Sequence, residues 1–346
     1  MDLEKRKNET RGGVLIGNSH IGLFLAKKAA GAKSAPLLSE SFIFSGPEDV
    51  GKVTAALRFA ETLLCETGGG EPCGSCHSCK KFSRGAEKGS SEGADFHSDL
   101  HFIGRQEGKK NISIEQIREL IRKLSLSSFL NSYKIGIIKE AENLSEEAAN
   151  ALLKTLEEPR PGVIIILTVS DPDRLPKTIL SRAQILQFRP VKADIIYDYL
   201  AGRGASRSEA KNFSRLSGGR PALAFKFFED KEYLEKYLRA ARAFLEPEPL
   251  ETDPIGSIGK GGQEGADAAL EVIEIWRKAA RDLVLIHLGN GDLVQNEILD
   301  KELERAKDGW TPARLLGLME DLDKASLYIK GNVQPRLVLE RIALNL

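Results

Sequence analysis

The segment FIFSGPEDVGKV, residues 42–53, is the pattern that most clearly predicts the fold of this chain. Its apolar start, Phe42–Phe44, predicts a strand that enters a glycine-containing loop. Apolar residues at helical spacing follow the loop: Ala55, Ala56, Phe59, Ala60 and Leu63. A strand, a glycine loop and a helix in this order begin an α/β domain, and the loop between them is of the phosphate-binding kind.

Residues 46–53 match the nucleotide-binding pattern G-x-x-x-x-G-K-[ST] at every required position except the last. Gly46 and Gly51 would let backbone N–H groups close round phosphates, and Lys52 could reach them. The last position should carry a hydroxyl that holds Mg²⁺, but it is Val53. Thr54 comes one residue late, so it points about 100° away round the helix.

The acidic partner of such a loop is expected at the end of a neighbouring apolar strand. Here the strand ends at Ile138 and is followed by Lys139-Glu140, where Asp-Glu is expected. A cation at Lys139 would oppose Mg²⁺. We therefore predict no Mg²⁺ site and no ATP hydrolysis by this chain. Binding of ATP or ADP without turnover, and a relic loop kept as a tight turn, both stay open.

All four cysteines lie within one short stretch, spaced Cys65-x₇-Cys73-x₂-Cys76-x₂-Cys79. Four thiolates at this spacing can surround a zinc ion without long-range folding. Four protein ligands leave no open position, so the predicted zinc is structural rather than catalytic. A redox dithiol and a role for His77 as a ligand are the alternatives.

Composition limits the classes of function. The chain has 346 residues, enough for two or three domains, and 50 basic residues balance 50 acidic ones. The balanced charge argues against DNA binding by the chain alone. The charged start, Met1–Lys7, is unlike a secretory signal, and the apolar run Val163–Val169 is too short to span a bilayer. We expect a cytoplasmic protein without a membrane partner.

Short apolar segments separated by helices predict a parallel sheet covered on both faces. The predicted further strands are Leu100–Ile103, Ile135–Ile138, Val163–Val169 and Ile185–Phe188. Ser113 with Gln116 predicts a capped helix, and Ser145 starts another that Pro159 ends. The α/β domain therefore occupies residues 1–190, with the zinc module (65–79) inserted and a disordered insertion loop at 84–93.

Strand patterns largely cease after Pro190. Residues 191–245 predict a small helical domain of three short helices, Asp194–Leu200, Ser206–Leu216 and Pro221–Phe228. Residues 246–266 are rich in Pro, Gly and acidic residues and predict a mobile linker. Residues 267–346 are helical again, which completes a three-domain prediction.

These motifs together resemble the delta-prime family of clamp-loader subunits of bacterial DNA polymerase III, of the AAA+ class. The resemblance covers nearly the whole chain, and its most specific motifs surround Glu157 and Arg182. It rests on the glycine loop with the cysteines and on LIGN (15–18), NALLKTLEEP (150–159), LPKTILSR (175–182), SGGRPAL (217–223) and NVQPRLVLE (332–340).

The resemblance implies a RecA-like (AAA+) domain, a small helical lid at 191–245 and an all-α collar at 267–346 that serves oligomerisation. It implies a hetero-oligomer with the delta and gamma/tau-type subunits of the DNA polymerase III holoenzyme. That complex acts on the sliding clamp and on primer-template DNA. The implied role is that of a stator without ATPase activity of its own.

The resemblance also implies roles for single residues. Arg182 corresponds to the arginine that the family presents in trans to the ATP of a neighbouring subunit, although the family's Ser-Arg-Cys reads Ser181-Arg182-Ala183 here. A planar, permanently charged guanidinium suits the charge on a transferred phosphoryl group. Arg220 corresponds to a sensor arginine of the lid, and Gly17 and Asn18 to a segment that borders adenine.

Plainer interpretations compete with these roles. Arg182 could form a salt bridge at the sheet edge, and Glu157 with Glu158 could cap a helix end or contact a partner. Lys52, Arg118 and Arg122 could meet DNA phosphates, but Arg118 and Arg122 lie on a solvated helix face. The alternative functions are an active gamma/tau-type clamp-loader ATPase and a zinc-bearing scaffold protein with a relic loop.

Overall fold

The computed structural model describes residues 15–31, 39–68, 70–87, 97–126, 133–246, 262–344 and 346. The chain divides into two compact units, Met1–Val191 and Lys192–Leu346. The first unit ends one residue beyond the predicted α/β domain. The predicted linker falls mostly on residues 247–261, outside the described residues, so the division of the second unit into lid and collar stays a prediction.

The first unit contains a parallel sheet of five strands, which confirms the predicted α/β class. The strand order is β2-β3-β4-β1-β5. The strands are β1 Glu40–Ser45, β2 Leu100–Ile103, β3 Lys134–Ile138, β4 Val163–Val169 and β5 Gln184–Gln187. The strand β5 lies one residue earlier than predicted, a shift within the ordinary uncertainty of element ends.

Two helical layers cover the sheet because alternate residues of each strand point to opposite faces. Phe42 and Phe44 of β1 pack into one buried cluster, whereas Ile43 packs into the other. Residues of β4 divide between the clusters in the same way. The helices of this unit are α1 Ser19–Gly31, α2 Lys52–Leu64, α3 His77–Glu87, α4 Ile114–Ser125, α5 Glu146–Glu157 and α6 Lys177–Leu180.

The predicted helix starts are confirmed. Ser113 and Gln116 form a reciprocal capping box at the start of α4, and the Ser145 hydroxyl accepts a hydrogen bond from the Ala148 N–H at 3.2 Å. The helix α5 ends at Glu157, before Pro159. The predicted insertion loop differs in part: residues 84–87 form the last turn of α3, and residues 88–93 lie outside the described residues.

The described part of the second unit is helical. Its helices are α7 Ala193–Gly202, α8 Arg207–Leu216, α9 Pro221–Glu229, α10 Lys231–Leu245, α11 Gln263–His287, α12 Asp300–Lys307, α13 Pro312–Lys330 and α14 Pro335–Ala343. The first three correspond to predicted helices. Sequence reasoning missed α10, although Asp230 caps it and Phe244 anchors its buried face. Over the described residues, no helix is long and apolar enough to cross a membrane.

Candidate nucleotide, metal and arginine sites

The nucleotide-type loop has the backbone shape that its glycines predict. It follows β1, and the Gly46 N–H donates to the carbonyl of Val169 at 3.2 Å. A Cβ at Gly46 would lie 2.3 Å from the carbonyl oxygen of Phe188, so no other residue fits there. Gly51 has a left-handed φ of 96° where α2 begins. The loop is therefore built on the predicted glycines.

Lys52 is turned into this loop rather than toward open space. Its side chain is buried, and its Nζ donates to the carbonyl of Pro47 at 2.6 Å and to that of Gly46. Burial lowers the pKa of Lys52, and the nearby carboxylates of Glu142 and Glu48 oppose that shift. The lysine is thus satisfied by loop carbonyls in acidic surroundings.

The position expected to hold Mg²⁺ carries a cation and an engaged carboxylate. The Lys139 Nζ lies 3.2 Å from Glu140 Oε1, and Arg105 Nε donates to Glu140 Oε2 at 3.0 Å. Burial would raise the pKa of Glu140, but Lys139 and Arg105 hold it below its ordinary value. With Val53 in place of a hydroxyl, these residues do not fit a Mg²⁺ ion.

Gly17 and Asn18 form a clip within the first unit. The Asn18 Nδ2 donates to the Arg189 carbonyl at 3.0 Å, and the Arg189 N–H donates to Asn18 Oδ1 at 2.9 Å. A Cβ on Gly17 would come within 2.6 Å of the Val191 side chain. The segment that the resemblance relates to adenine binding therefore joins two distant parts of the backbone.

Arg220 belongs to the second unit and precedes α9. Its Nε donates to the carbonyl of Ser217 at 3.0 Å across a turn with two left-handed glycines, Gly218 and Gly219. Burial, and next the charge of Arg220, lower the pKa of Lys278 to about 8. Arg220 therefore lies close to α11 of its own unit.

The four cysteines come together. Their sulfur atoms all lie within 4.8 Å of one another, a spacing that suits tetrahedral coordination of a zinc ion. The Cys73 N–H donates to Cys65 Sγ at 3.4 Å, and the Cys76 N–H donates to Cys73 Sγ at 3.3 Å. Hydrogen bonds from Ser75 and Thr67 lower the pKa of Cys73 to about 5, which favours the thiolate that binds metal. This donor set fits structural zinc.

A polar chain that sequence reasoning missed supports the cysteines and runs from the exposed Glu66 to the buried residues Ser78 and His97. Glu66 Oε1 accepts hydrogen bonds from the Ser78 N–H at 2.9 Å and from the Ser78 hydroxyl at 3.0 Å. The Ser78 hydroxyl also lies 3.2 Å from His97 Nε2, and His97 Nδ1 accepts from the Asp99 N–H at 3.0 Å. Glu66 follows Cys65, and Ser78 precedes Cys79. Their position next to predicted zinc ligands was the one sign in the sequence that they could support the metal site.

This chain continues to the sheet. The Asp99 carboxylate lies 3.0 Å from Lys134 Nζ of β3, and both side chains are buried. Burial lowers the pKa of His97 below its ordinary 6.5, so the ring is neutral at pH 7. With Nδ1 accepting, Nε2 carries the proton and donates to Ser78. The network therefore fixes the cysteine segment on the edge of the sheet.

Arg182 lies between α6 and β5 and is held by neighbours in its own unit. Its Nε donates to Glu157 Oε1 at 2.6 Å, and its Nη2 donates to the same oxygen. Its Nη1 donates to the Thr178 carbonyl at 2.9 Å and to the Ser181 hydroxyl at 3.0 Å. The salt-bridge alternative is thus realised in this structure, with Glu157 as the partner.

Arg182 and the nucleotide-type loop lie at opposite ends of two paired strands. The strands β1 and β5 are parallel, with Phe42 opposite Gln184 and Ser45 opposite Gln187. The loop follows the carboxyl end of β1, whereas Arg182 precedes the amino end of β5. About 10–13 Å of paired strand therefore separates them.

Comparisons with known proteins find similarity to subunits of DNA polymerase III. Residues 26–192 match the family model described as DNA polymerase III, delta subunit. DNA polymerase III subunit delta' of Bacillus subtilis is 32% identical over 207 residues, 60% of this chain and 59% of that protein. Subunit delta' of Haemophilus influenzae is 32% identical over 200 residues, 57% of this chain and 58% of that protein.

Other relatives carry the name of a different subunit. DNA polymerase III subunit tau of Bacillus subtilis is 34% identical over 183 residues, 53% of this chain and 30% of that protein. A solved structure of a gamma subunit-related protein from Thermotoga maritima covers 92% of this chain and 97% of its own, at 19% identity and a TM-score of 0.44. The chain spans about three fifths of the length of the delta' relatives. The comparisons therefore show that about half of this chain is similar to delta' and tau subunits of DNA polymerase III.

Proposed function

We propose that this chain is the non-hydrolysing stator of the DNA polymerase III clamp loader. In this role it assembles with delta and gamma/tau-type subunits and helps to load the sliding clamp onto primed DNA. Similarity to subunit delta' of two bacteria supports the assignment. The proposed absence of ATP hydrolysis rests on the residues at the expected Mg²⁺ position. There Lys139 and Arg105 contact Glu140, and Val53 offers no hydroxyl.

The proposal gives Arg182 the role of an arginine finger in trans. Its separation from the chain's own loop, at the other ends of β1 and β5, argues against action in cis. Its side chain is 31% exposed, so a partner surface can reach it. A guanidinium supplied by one subunit to the ATP of another makes hydrolysis conditional on assembly.

The test is Arg182→Ala in a reconstituted loader, with steady-state ATPase and clamp loading as readouts. We expect ATP hydrolysis at the adjacent site to fall at least about tenfold, because loss of an arginine finger removes charge stabilisation of the transition state. The complex should stay assembled in gel filtration. Arg174→Ala, which removes an exposed arginine from the same region, serves as the matched control. Unchanged ATPase with Arg182→Ala would refute the finger role.

The alternatives make different predictions. An active gamma/tau-type ATPase would show magnesium-dependent turnover by the purified chain alone, whereas we expect none. A zinc-bearing scaffold with a relic loop would not co-purify with delta and gamma/tau-type subunits. Stimulated ATPase in the mixture, with none by the chain alone, supports the stator.

A further inference from the structure

The contacts of Arg182 occupy nearly all of its hydrogen-bonding capacity. A guanidinium carries five N–H groups. Glu157 Oε1 receives two of them, from Nε and Nη2, and the Nη1 group donates to Thr178 and Ser181. Within the described ranges of the chain, a single N–H of Arg182, on Nη2, is left without a partner.

This occupancy conflicts with phosphate binding. An arginine grips a phosphoryl group bidentately, through two parallel N–H groups on one edge of its fork. One such edge, Nε with Nη2, is taken by Glu157, and the other includes the Nη1 group bound to Thr178 and Ser181. Arg182 therefore cannot grip a γ-phosphate until at least one of these contacts opens.

The contact with Glu157 is the one suited to open. The Glu157 side chain is 47% exposed and that of Arg182 is 31% exposed, so water weakens their attraction. A γ-phosphate in a closed interface carries more negative charge than a carboxylate and is less screened. The phosphate can displace Glu157, and Glu157 can recapture Arg182 once the phosphate has left.

We propose that Glu157 is a latch in cis for Arg182, a positioning residue that holds the guanidinium until a phosphate of the neighbouring subunit replaces it. This inference rests on the proposed role of Arg182 in trans. The latch sets how readily the finger is released, and it keeps the arginine in a defined orientation when no γ-phosphate is present.

The first test uses the full chain without partners. Arg182 modification by phenylglyoxal, followed by peptide mass spectrometry, measures how firmly the guanidinium is held. We expect Glu157→Gln to raise the rate of modification at Arg182 about threefold, because a neutral amide holds the guanidinium less tightly. Glu158→Gln is the matched control, since it removes the same charge at an exposed neighbour that makes no side-chain ion pair among the described residues. Equal rates in both variants and the wild type would overturn the latch.

The second test uses the reconstituted loader. Glu157→Gln should lower the ATP concentration that gives half-maximal hydrolysis about threefold, and Glu158→Gln should not. The double variant Glu157→Gln/Arg182→Ala should match Arg182→Ala, because the latch acts only through the arginine. If Arg182→Ala lowers hydrolysis but Glu157→Gln behaves as Glu158→Gln, the latch alone fails. If Arg182→Ala has no effect, the proposed function fails and the latch with it.

Discussion

The two ends of helix α2 differ in the side chains that they offer to a ligand. At its start, the glycine loop keeps its shape but has Val53 and the cation Lys139 where Mg²⁺ chemistry needs a hydroxyl and a carboxylate. At its end, Cys65 opens a set of four cysteines whose sulfur atoms converge. One end of the helix lacks the hydroxyl that the motif expects, and the other end has four converging thiols.

The nucleotide-type loop and the cysteine cluster differ in how far the fold can hold them without a bound ligand. The loop is held by glycine geometry and by Lys52, whose ammonium bonds to loop carbonyls. The cysteine segment has little apolar core of its own, and converging thiolates repel one another unless a metal or protons neutralise them. We therefore expect the fold to tolerate loss of nucleotide chemistry at one end of α2 but not loss of metal ligands at the other.

The largest expected effect comes from Cys79→Ser. Cys79 is fully buried, and its loss leaves three thiolates. We expect zinc to fall from about one ion per chain to near zero, and the first unit to lose about 3 kcal/mol, or roughly 6–12 °C in Tm. Elemental analysis and calorimetry measure both. Wild-type protein without zinc after purification free of chelators would contradict the metal prediction.

A second effect concerns pH and Glu61, which lies on α2 near its cysteine end. Burial, and to a lesser degree the charge of Cys73, raise the pKa of Glu61 from 4.5 to about 7. The folded state then binds the proton more tightly than the unfolded state, so stability falls as pH rises from about 4.5 through 7. Glu61→Gln should remove this loss, worth up to about 3 kcal/mol.

Urea unfolding between pH 5.5 and 8.5 checks this expectation. The free energy of unfolding of the wild type should decline more steeply with pH than that of Glu61→Gln, with the variant the more stable at pH 8.5. Parallel pH profiles would show that the carboxyl group does not titrate in this range.

A smaller effect is expected from Ser78→Ala, which cuts the polar chain between Glu66 and His97. Groups that orient metal ligands typically contribute 10- to 100-fold to affinity, and we expect about tenfold weaker zinc binding. Competition with a chromogenic chelator measures it. Ser83→Ala is the control, because its hydroxyl donates a local hydrogen bond to the Cys79 carbonyl at 3.2 Å. Equal losses in both variants would remove the special role of Ser78.

The smallest effect is expected at the nucleotide-type loop. Magnesium with millimolar ATP should shift the Tm of the wild type by less than about 1 °C, because ligand binding stabilises only through its affinity for the folded state. The variant Val53→Thr/Lys139→Asp restores a hydroxyl and a carboxylate and should give a larger shift. A wild-type shift in Tm as large as that of the variant would contradict the expectation that the wild-type loop lacks nucleotide chemistry.

Local patterns in the sequence predicted much of the fold. Apolar runs such as Val163–Val169 became strands, and Ser113 and Ser145 capped helices, since these features depend on neighbours in the chain. The convergence of the cysteines followed in the same way from their spacing. The helix α10 was missed although Asp230 is a favourable N-cap and Tyr237, Ala241 and Phe244 recur at helical spacing in the sequence.

Contacts between distant segments could not be predicted. The pairs Glu157 with Arg182, and Ser78 with His97, depend on where the sheet places separate loops. The inward turn of Lys52 was equally hidden, because the motif indicates a lysine that reaches phosphates. In each case the residue type was visible in the sequence and its partner was not.

The clip between Asn18 and Arg189 has a consequence for the order of folding during synthesis. Its partners are 171 positions apart, and β1 likewise pairs with β4 and β5, which are made much later. A ribosome must therefore release nearly all of the first unit before β1 finds both neighbours. Until then Phe42 and Phe44 lack their native cover, so we expect slow, late closure and a nascent chain that benefits from chaperones.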